Sequence, residues 1–296
     1  MPEGHSIHRL ARQFQDVFAG ERLAVSSPQG RFAEGAALLD GGVLASALAH
    51  GKQLFLHFSH GLVLHVHLGL YGAWDFGGDE QFAGASSIGA PRRIGEREAA
   101  RRLEDSQYAG PPEPVGAVRV RLVSRNGWAD LRGATTCAAI TEAEARAVVG
   151  RLGPDPLHNV SGDREEFTRR LGRRKTTLAL LMMDQSVLAG VGNIYRAEVL
   201  FRQGLDPWLP GNALDAGTAG RLWDDTVAAM ADGVRDGRIV TTPASYRQEG
   251  AAAANDGDVP HFVYKRHGMP CLVCGTEVRL AEVGARKLYW CPNCQK

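Results

Sequence analysis

Two pairs of cysteines near the end of the chain constrain its fold more than any other feature. They are Cys271-Leu272-Val273-Cys274 and Cys291-Pro292-Asn293-Cys294. Two C-x2-C knuckles can place four thiolates around one ion, which is what a structural zinc site requires. Between the knuckles, apolar residues predict two short strands of a zinc ribbon: Val278, Leu280, Leu288 and Tyr289. The sequence therefore predicts one structural Zn²⁺ held by Cys271, Cys274, Cys291 and Cys294.

Two disulfides or four unrelated thiols are the alternatives to this zinc site. Disulfides need an oxidising compartment, and the start of the chain lacks the long apolar core of a signal peptide. We therefore expect an intracellular, cytoplasmic protein. The fifth cysteine, Cys137, has no partner by spacing and is expected to be a small buried hydrophobic residue.

The first four residues, Met1-Pro2-Glu3-Gly4, indicate a second kind of chemistry. Removal of Met1 would leave Pro2 with a free secondary amine, and an α-amino group has a pKa of roughly 8 against about 10.4 for lysine. Such an amine can attack an aldehyde-like carbon to form a Schiff base, with Glu3 as proton shuttle. The alternative is an ordinary proline at the first position of a helix, and these four residues alone favour that alternative.

Composition allows two domains plus a small module in 296 residues, 44% of them hydrophobic. No apolar run approaches the length of a membrane span, so no membrane partner is expected. The formal net charge is only +1, but basic residues cluster between Arg164 and Lys175 and again after His261. Clustered cations create a local field for phosphates, although a solvated helix face is the simpler interpretation of any single arginine.

The N-terminal half predicts one helix followed by an antiparallel sheet or sandwich. Apolar residues recur at helical spacing from Ile7 to Phe18, with Gly20 at the C′ position. Alternating patterns predict strands over 54–58, 62–68 and 118–122, and Asn126-Gly127 predicts a tight hairpin turn. The stretch from roughly Gly77 to Val115 predicts a loop or a partly ordered helix.

From Thr141 the pattern becomes helical. Thr141 with Glu144, and Asp163 with Glu166, are candidate capping boxes. Helices are predicted over 178–183, 194–203 and 214–234, with a loop over 186–192 and a flexible stretch over 241–260. The break at 153–156 suggests a domain boundary, which gives domains 1–150, 151–260 and 261–296. The predicted fold class is α+β: an N-terminal β-sandwich with a flanking helix, a C-terminal helical domain and a zinc ribbon.

Five separated pieces of sequence occur in an informative order: Pro2-Glu3-Gly4, His50-Gly51-Lys52, His67-Leu68-Gly69-Leu70-Tyr71-Gly72, the run from Met183 to Tyr195, and the ribbon ending Cys291-Pro292-Asn293-Cys294-Gln295. With this order and spacing the chain resembles the formamidopyrimidine-DNA glycosylase and endonuclease VIII family of base-excision repair. The resemblance covers nearly the whole chain. Its two helices around 178–203 are similar to the helix–two-turn–helix of that family.

The resemblance implies a bifunctional DNA glycosylase and abasic-site (AP) lyase. Pro2 would attack C1′ of a damaged nucleoside, and Glu3 would act as general acid and base. The damaged base must leave the stack to be reached. The expected partner is damaged double-stranded DNA lying in the cleft between the domains, bound by a monomer associated with the nucleoid. No redox or nucleotide cofactor is implied beside the structural zinc.

The same resemblance implies three contacts with DNA in the first domain. Leu70 and Tyr71 would form the wedge that fills the space left by the flipped base; for Leu70, an ordinary place in a hairpin core is the alternative. Lys52 would contact the DNA backbone near the lesion. Without the resemblance, a common surface lysine is the better interpretation of Lys52.

The later part of the chain adds two phosphate contacts by resemblance. Asn193 would bind phosphate at a helix start, with a plain N-cap as the compatible alternative, and Arg286 would reach the phosphate beside the lesion. Lys175 is a further candidate whose basic neighbours could substitute for it. Five residues are expected to carry no chemistry: Asp184, Gln185 and Glu198, which would hold the loop before Asn193, and His65 and His67.

Departures from the formamidopyrimidine type point to the endonuclease VIII branch, which favours oxidised pyrimidines. The chain continues Gly4-His5-Ser6-Ile7 without a second acid, carries Leu70-Tyr71 where that type has a methionine, and keeps an arginine but no phenylalanine in 130–134. The alternative function is a non-catalytic zinc-ribbon protein that recognises abasic or branched DNA. Such a binder has no need of a free Pro2 amine or of Glu3.

Overall fold

The chain folds into two compact units, Met1–Arg151 and Leu152–Lys296. The structure is a computed structural model, and it describes residues 2–80, 82–90, 110–246 and 259–296. Among the helices in these ranges, none has both the length and the apolar character needed to cross a bilayer.

The first unit is mainly β-structure. Its helices are α1 (Gly4–Phe18), α2 (Ala33–Leu39) and α3 (Glu142–Val149). Its strands are β1 (Ala24–Ser26), β2 (Leu44–His50), β3 (Gln53–Phe58), β4 (Leu62–His67), β5 (Ala73–Gly78), β6 (Ser87–Gly89), β7 (Val118–Val123), β8 (Gly127–Arg132) and β9 (Thr136–Thr141). They form a five-stranded sheet in the order β1-β7-β8-β5-β6 and a four-stranded sheet in the order β2-β3-β4-β9.

Both sheets and α1 share one hydrophobic core. Leu56 and Leu64 come from the four-stranded sheet, while Leu122 comes from the five-stranded sheet. Phe14 of α1 packs edge-on against Trp74, with the ring centroids 4.8 Å apart. Edge-to-face aromatic pairs contribute stability beyond their buried area. The predicted β-sandwich with a flanking helix is therefore confirmed.

Local signals predicted the ends of several elements correctly. After α1 the chain turns at Gly20, whose φ of 87° is the left-handed conformation favoured by glycine. Thr141 and Glu144 form the predicted capping box at the start of α3. The stretch after Gly77 was predicted without a strand, but it contains β6, which pairs with β5; residues 91–109 of that stretch lie outside the described ranges.

The second unit joins helices to a small β-hairpin. Its helices are α4 (Asp163–Gly172), α5 (Leu178–Leu181), α6 (Asn193–Arg202) and α7 (Ala216–Asp236), and its strands are β10 (Arg279–Val283) and β11 (Arg286–Trp290). Phe167, Tyr195 and Trp223 lie in the helical core. Val263 and Val278 lie in a separate small core with Phe201 of α6. The helical domain and the zinc ribbon are thus both present.

One capping box was predicted wrongly. The N-cap of α4 is Gly162 in a left-handed conformation, and Asp163 is already the first helical residue. The Asp163 carboxylate accepts a hydrogen bond from Val160 N–H (2.9 Å), while Glu166 binds two arginines instead of the helix start. Of the stretch predicted to be flexible, 247–258 lie outside the described residues. Its flanks are tied together, because Thr241 N–H donates to the carbonyl of Pro260 (2.8 Å).

Candidate functional site

Pro2 and Glu3 lie directly before α1, and both are buried. Glu3 is the N-cap residue, with extended backbone, yet its side chain makes no capping hydrogen bond to the helix. The helix begins at Gly4, so Pro2 does not occupy the first helical position, and the helix-start interpretation of Pro2 is wrong. A fully buried carboxylate thus follows the proline directly.

His5 is a buried neutral group in the first turn of α1, and no role was predicted for it from sequence. Burial, followed by the charge of Arg9, lowers the pKa of His5 to about 3. Its Nε2 lies 3.2 Å from Ser6 Oγ. His5 therefore presents an uncharged imidazole next to Pro2 and Glu3 in sequence. An amphipathic helix pattern does not distinguish a buried histidine at the helix start from an exposed one.

His65 was expected to carry no chemistry, and its surroundings are those of a satisfied core histidine. Its ring stacks on Phe55 at 5.0 Å between centroids, and Nε2 lies 2.8 Å from Gln53 Oε1. Burial, and next the neighbouring His67, lowers the pKa of His65 to about 4.

These two histidines predict a loss of stability in mild acid. In the unfolded chain each has a pKa of about 6.5, so the unfolded state binds more protons as the pH falls below that value. Stability is then lost as the pH falls from about 6.5 towards the folded-state pKa values. Linkage gives about 2 kcal/mol per histidine between pH 7 and pH 5. The fall in the urea midpoint from pH 7 to pH 5 should be smaller in His65→Gln than in the wild-type protein. An unchanged fall would contradict the low pKa assigned to His65.

A tight turn after β4 carries the predicted wedge residues. Tyr71 is the most exposed large hydrophobic side chain among the described residues, at 80%, and Leu70 is half-buried. Gly69 has a φ of 67°, and a Cβ there would come 1.9 Å from Thr135 Oγ1. Gly133 has a φ of 62°, and a Cβ there would come 2.7 Å from the Tyr71 carbonyl oxygen. Two glycines thus allow the turn to pack closely while Tyr71 projects outward.

Lys52 lies in the two-residue turn between β2 and β3, which closes at the His50–Gln53 pair. Gly51 supplies the positive φ of 56° that this turn needs. His67 pairs with Gln53 across the sheet; burial, and next the charge of Lys52, lowers the pKa of His67. Lys52 therefore lies at the same end of the sheet as the turn that carries Tyr71.

Arg132, the arginine noted within 130–134, ends β8 and is already engaged in an ion pair. Arg132 Nε donates to Asp75 Oδ2 at 2.5 Å and Nη2 donates to Asp75 Oδ1 at 3.0 Å. This ion pair holds β8 to β5. Arg132 is a structural residue in this arrangement, and its partner, 57 residues away in sequence, is not part of any local pattern.

Asn193 begins α6 and joins the helix to the ribbon. The N-cap is Gly192 and not Asn193, so the N-cap interpretation is wrong. The buried Asn193 amide donates from Nδ2 to the carbonyl of Lys287 at 2.9 Å, and its Oδ1 accepts from Arg196. Arg196, fully buried and not predicted from sequence, also donates to the carbonyl of Ala179 at 3.2 Å. These bonds fix the start of β11, where Arg286 is exposed.

Two of the three residues predicted to hold the loop before Asn193 do so. Asp184 accepts hydrogen bonds from the backbone and hydroxyl of Ser186 (2.9 and 2.6 Å). Gln185 donates to the carbonyl of Val191 and accepts from Gly190 N–H, both at 3.0 Å. This pattern closes the loop on itself.

Glu198 was predicted to hold the same loop, and that prediction is wrong. The fully buried carboxylate accepts instead from three successive backbone N–H groups, those of Phe262 (2.8 Å), Val263 (3.0 Å) and Tyr264 (2.8 Å), and from the Thr241 hydroxyl. A buried charge requires such partners to offset its lost hydration. Glu198 therefore attaches the start of the ribbon to α6.

The four knuckle cysteines converge on one point. Their Sγ atoms lie within 4.8 Å of one another, with 3.9 Å between Cys271 and Cys294 and 3.5 Å between Cys274 and Cys291. Zn–S bonds of about 2.3 Å in a tetrahedron place sulfurs about 3.8 Å apart, so the donor set fits zinc. Cys137 is half-buried on β9 against the core of the first unit, and burial raises the pKa of its thiol to about 12.

Three family models match the chain in sequence order. The formamidopyrimidine-DNA glycosylase N-terminal domain matches residues 1–132, the H2TH domain of the same glycosylase matches 152–244, and the zinc finger found in FPG and IleRS matches 268–296. Together these matches span most of the chain, including every element that carries a predicted site residue.

Full-length relatives and solved structures agree with these matches. Endonuclease 8 1 of Mycobacterium tuberculosis is 40% identical over 300 residues, covering all of both chains. The crystal structure of MutM (FPG) from Thermus thermophilus is 27% identical, with a TM-score of 0.69 over 99% of this chain and 98% of that one. The Lactococcus lactis Fpg complex with DNA containing an abasic site shares the fold, with a TM-score of 0.71 over 99% of each chain at 18% identity.

Proposed function

The chain belongs to the formamidopyrimidine-DNA glycosylase and endonuclease VIII family of base-excision repair, and we propose that its glycosylase and AP lyase chemistry runs through a Schiff base on Pro2. The observation that carries this proposal is the fully buried Glu3 carboxylate directly after Pro2. The relatives described above carry enzyme names, which favours an enzyme over a non-catalytic DNA binder.

The proposed reaction begins once Met1 has been removed. The Pro2 nitrogen bonds to C1′ as the bond from C1′ to the damaged base breaks, and the base leaves with a proton. Opening of the sugar then gives an iminium, which acidifies the C2′ hydrogens, so loss of one of them expels the 3′ phosphate. A second elimination expels the 5′ phosphate. Glu3 is the group proposed to move protons during base departure and ring opening.

Five residues are proposed to bind the DNA around this reaction. Tyr71 and Leu70 serve as the wedge, and the exposure of Tyr71 on a tight turn supports that role. Lys52, Asn193 and Arg286 are proposed to contact phosphates. The Asn193 amide is occupied by Lys287 and Arg196, so we assign the phosphate contact at this position to the start of α6 itself, since the N-terminal end of a helix favours anions.

The finer features of the function are also proposals. The substrate is double-stranded DNA with oxidised bases, pyrimidines favoured, bound by a monomer that works at the nucleoid. The proposed domains are 1–150, 151–260 and 261–296. The zinc is structural: the four cysteines would hold the ribbon together, and the ion takes no part in the chemistry. Excision rates on duplexes carrying thymine glycol and 8-oxoguanine test the branch, since faster excision of 8-oxoguanine would contradict the pyrimidine preference.

Substitution of Gly133 with Ala tests the wedge by disturbing the turn that carries Tyr71. The new Cβ would come 2.7 Å from the Tyr71 carbonyl oxygen, so the turn must shift. The left-handed backbone at this position adds a strain of about 1–2 kcal/mol for a residue other than glycine. We expect weaker binding to a duplex with an abasic site. Gly61→Ala is the matched control, because its φ is 85° and no atom lies within 4 Å of the new Cβ. Equal losses of affinity in both variants would contradict the role of the turn.

A further inference from the structure

The basic stretch before α5 separates into two electrostatically different parts. In the first part, Arg164 donates to Asp224 at 3.0 Å, and Arg169 and Arg170 each donate to Glu166 at 2.6 Å. Hydrogen bonds from Arg169 and Arg170 lower the pKa of Glu166 to about 2. Two carboxylates, Asp224 and Glu166, therefore engage all three arginines and offset two of their three positive charges.

The second part, Arg173-Arg174-Lys175, is here called the basic segment. All three residues are exposed. Within the described ranges, neither Arg173 nor Lys175 forms an ion pair with an acidic side chain, and Arg174 only reaches Asp184 at 4.0 Å. The positive charge of the stretch is thus concentrated in three consecutive residues.

The backbone of the basic segment is fixed by a neighbouring loop. The Arg174 carbonyl accepts from Asn212 N–H at 2.9 Å, and the Thr176 carbonyl accepts from Gly211 N–H at 3.0 Å. Leu178 N–H donates to the carbonyl of Leu209 at 2.9 Å. Binding of a ligand would therefore require little ordering of this backbone, which lowers the entropic cost of binding.

The segment lies close to the tip of the ribbon hairpin, within the same unit. A Cβ on Gly284 would come 2.8 Å from the side chain of Leu180, so the tip packs on α5, two residues before Arg286. Leu180 follows Lys175 by only five positions, so their Cα atoms lie at most about 18 Å apart. Along a duplex this corresponds to about five base steps of 3.4 Å.

We propose that the basic segment binds the phosphate backbone of the same duplex, outside the lesion site. This proposal rests on the proposed function in one respect: Arg286 is taken to bind the same duplex at the ribbon. Arg173 and Lys175, which form no ion pair among the described residues, lie on a backbone held by hydrogen bonds. Such cations suit phosphates, whose contacts position DNA without reading its sequence. Arg164 and Arg169, which lie in the same stretch, take no part, because their charges are already engaged.

The test compares R173Q/K175Q with the matched double variant R164Q/R169Q in the full-length protein. The measurement is the affinity for a duplex carrying a tetrahydrofuran abasic analogue between about 50 and 300 mM salt. Each lost phosphate contact lowers the slope of log K against log salt by about 0.9. We expect R173Q/K175Q to lower the slope by about two and the affinity at about 0.1 M salt by about 60-fold, with R164Q/R169Q unchanged. Arg286→Ala serves as the positive control.

An unchanged slope in R173Q/K175Q, or equal losses in both double variants, would overturn the proposal. A second readout uses duplexes shortened on one side of the analogue or on the other. The affinity difference between R173Q/K175Q and the wild-type protein should disappear when the side that reaches the basic segment is removed. Borohydride trapping of the wild-type protein separates this inference from the Schiff-base proposal. A protein that traps no DNA but keeps the slope difference would reject the chemistry and retain the binding surface.

Discussion

Replacing Glu3 with Gln is expected to reduce base excision by a factor of about 10² to 10⁴, the range typical for loss of a positioned acid or base. The amide keeps the shape of the buried side chain but cannot exchange a proton. Strand cleavage at a preformed abasic site should survive in part, because the open sugar already presents an aldehyde to the Pro2 amine. The measurement compares both activities on one labelled duplex.

An exposed carboxylate on α2 provides the control for this experiment. Glu34→Gln removes the same charge from an exposed position outside α1 and should leave both activities at the wild-type level. The thermal midpoints of both variants show whether the fold is intact. Full excision by a correctly folded Glu3→Gln protein would show that another group moves the proton.

Removal of zinc is expected to unfold the chain from about Pro270 onward. The metal-binding free energy of small zinc modules is about 10–16 kcal/mol and is largely folding free energy. The small core around Val263 and Val278 cannot replace it, since few apolar side chains contribute. Chelation should therefore release β10 and β11, free Arg286 and weaken DNA binding, while the first unit stays folded. Hydrogen exchange of the hairpin amides measures this directly.

Cys137→Ser is the matched control for zinc removal, because this thiol lies on β9 in the first unit. It should leave the response to chelator unchanged, whereas Cys291→Ser should reproduce the unfolded hairpin without any chelator. Hairpin amides that remain protected after complete zinc removal would contradict a folding role for the metal.

Features encoded by short sequence patterns were predictable. The zinc-site cysteines follow a fixed local spacing, and the capping box at Thr141 involves residues three apart. Strands with one face in a core, such as β3 and β7, repeat with period two. In each of these cases the pattern that predicts the structure is complete within a few consecutive residues.

Features that depend on distant partners were not predictable. Glu198 accepts hydrogen bonds from N–H groups 64 to 66 residues away, and Arg132 pairs with a carboxylate 57 residues away. A local pattern contains no information about such partners. The same limit applies to His5, whose low pKa arises mainly from burial. The prediction of a capping box at Asp163 was wrong for a different reason: the N-cap is Gly162, one residue earlier than predicted.

The most direct test of the Schiff-base chemistry is borohydride trapping on duplexes that carry thymine glycol, 8-oxoguanine or an abasic site. Mass spectrometry first establishes that Met1 has been removed. The proposal predicts a covalent protein–DNA complex for the wild-type protein and its loss in Pro2→Gly, while Pro2→Gly still binds the abasic duplex. No trapped complex on any duplex from a protein that begins at Pro2, or undiminished trapping in Pro2→Gly, would contradict the assignment of Pro2 as nucleophile.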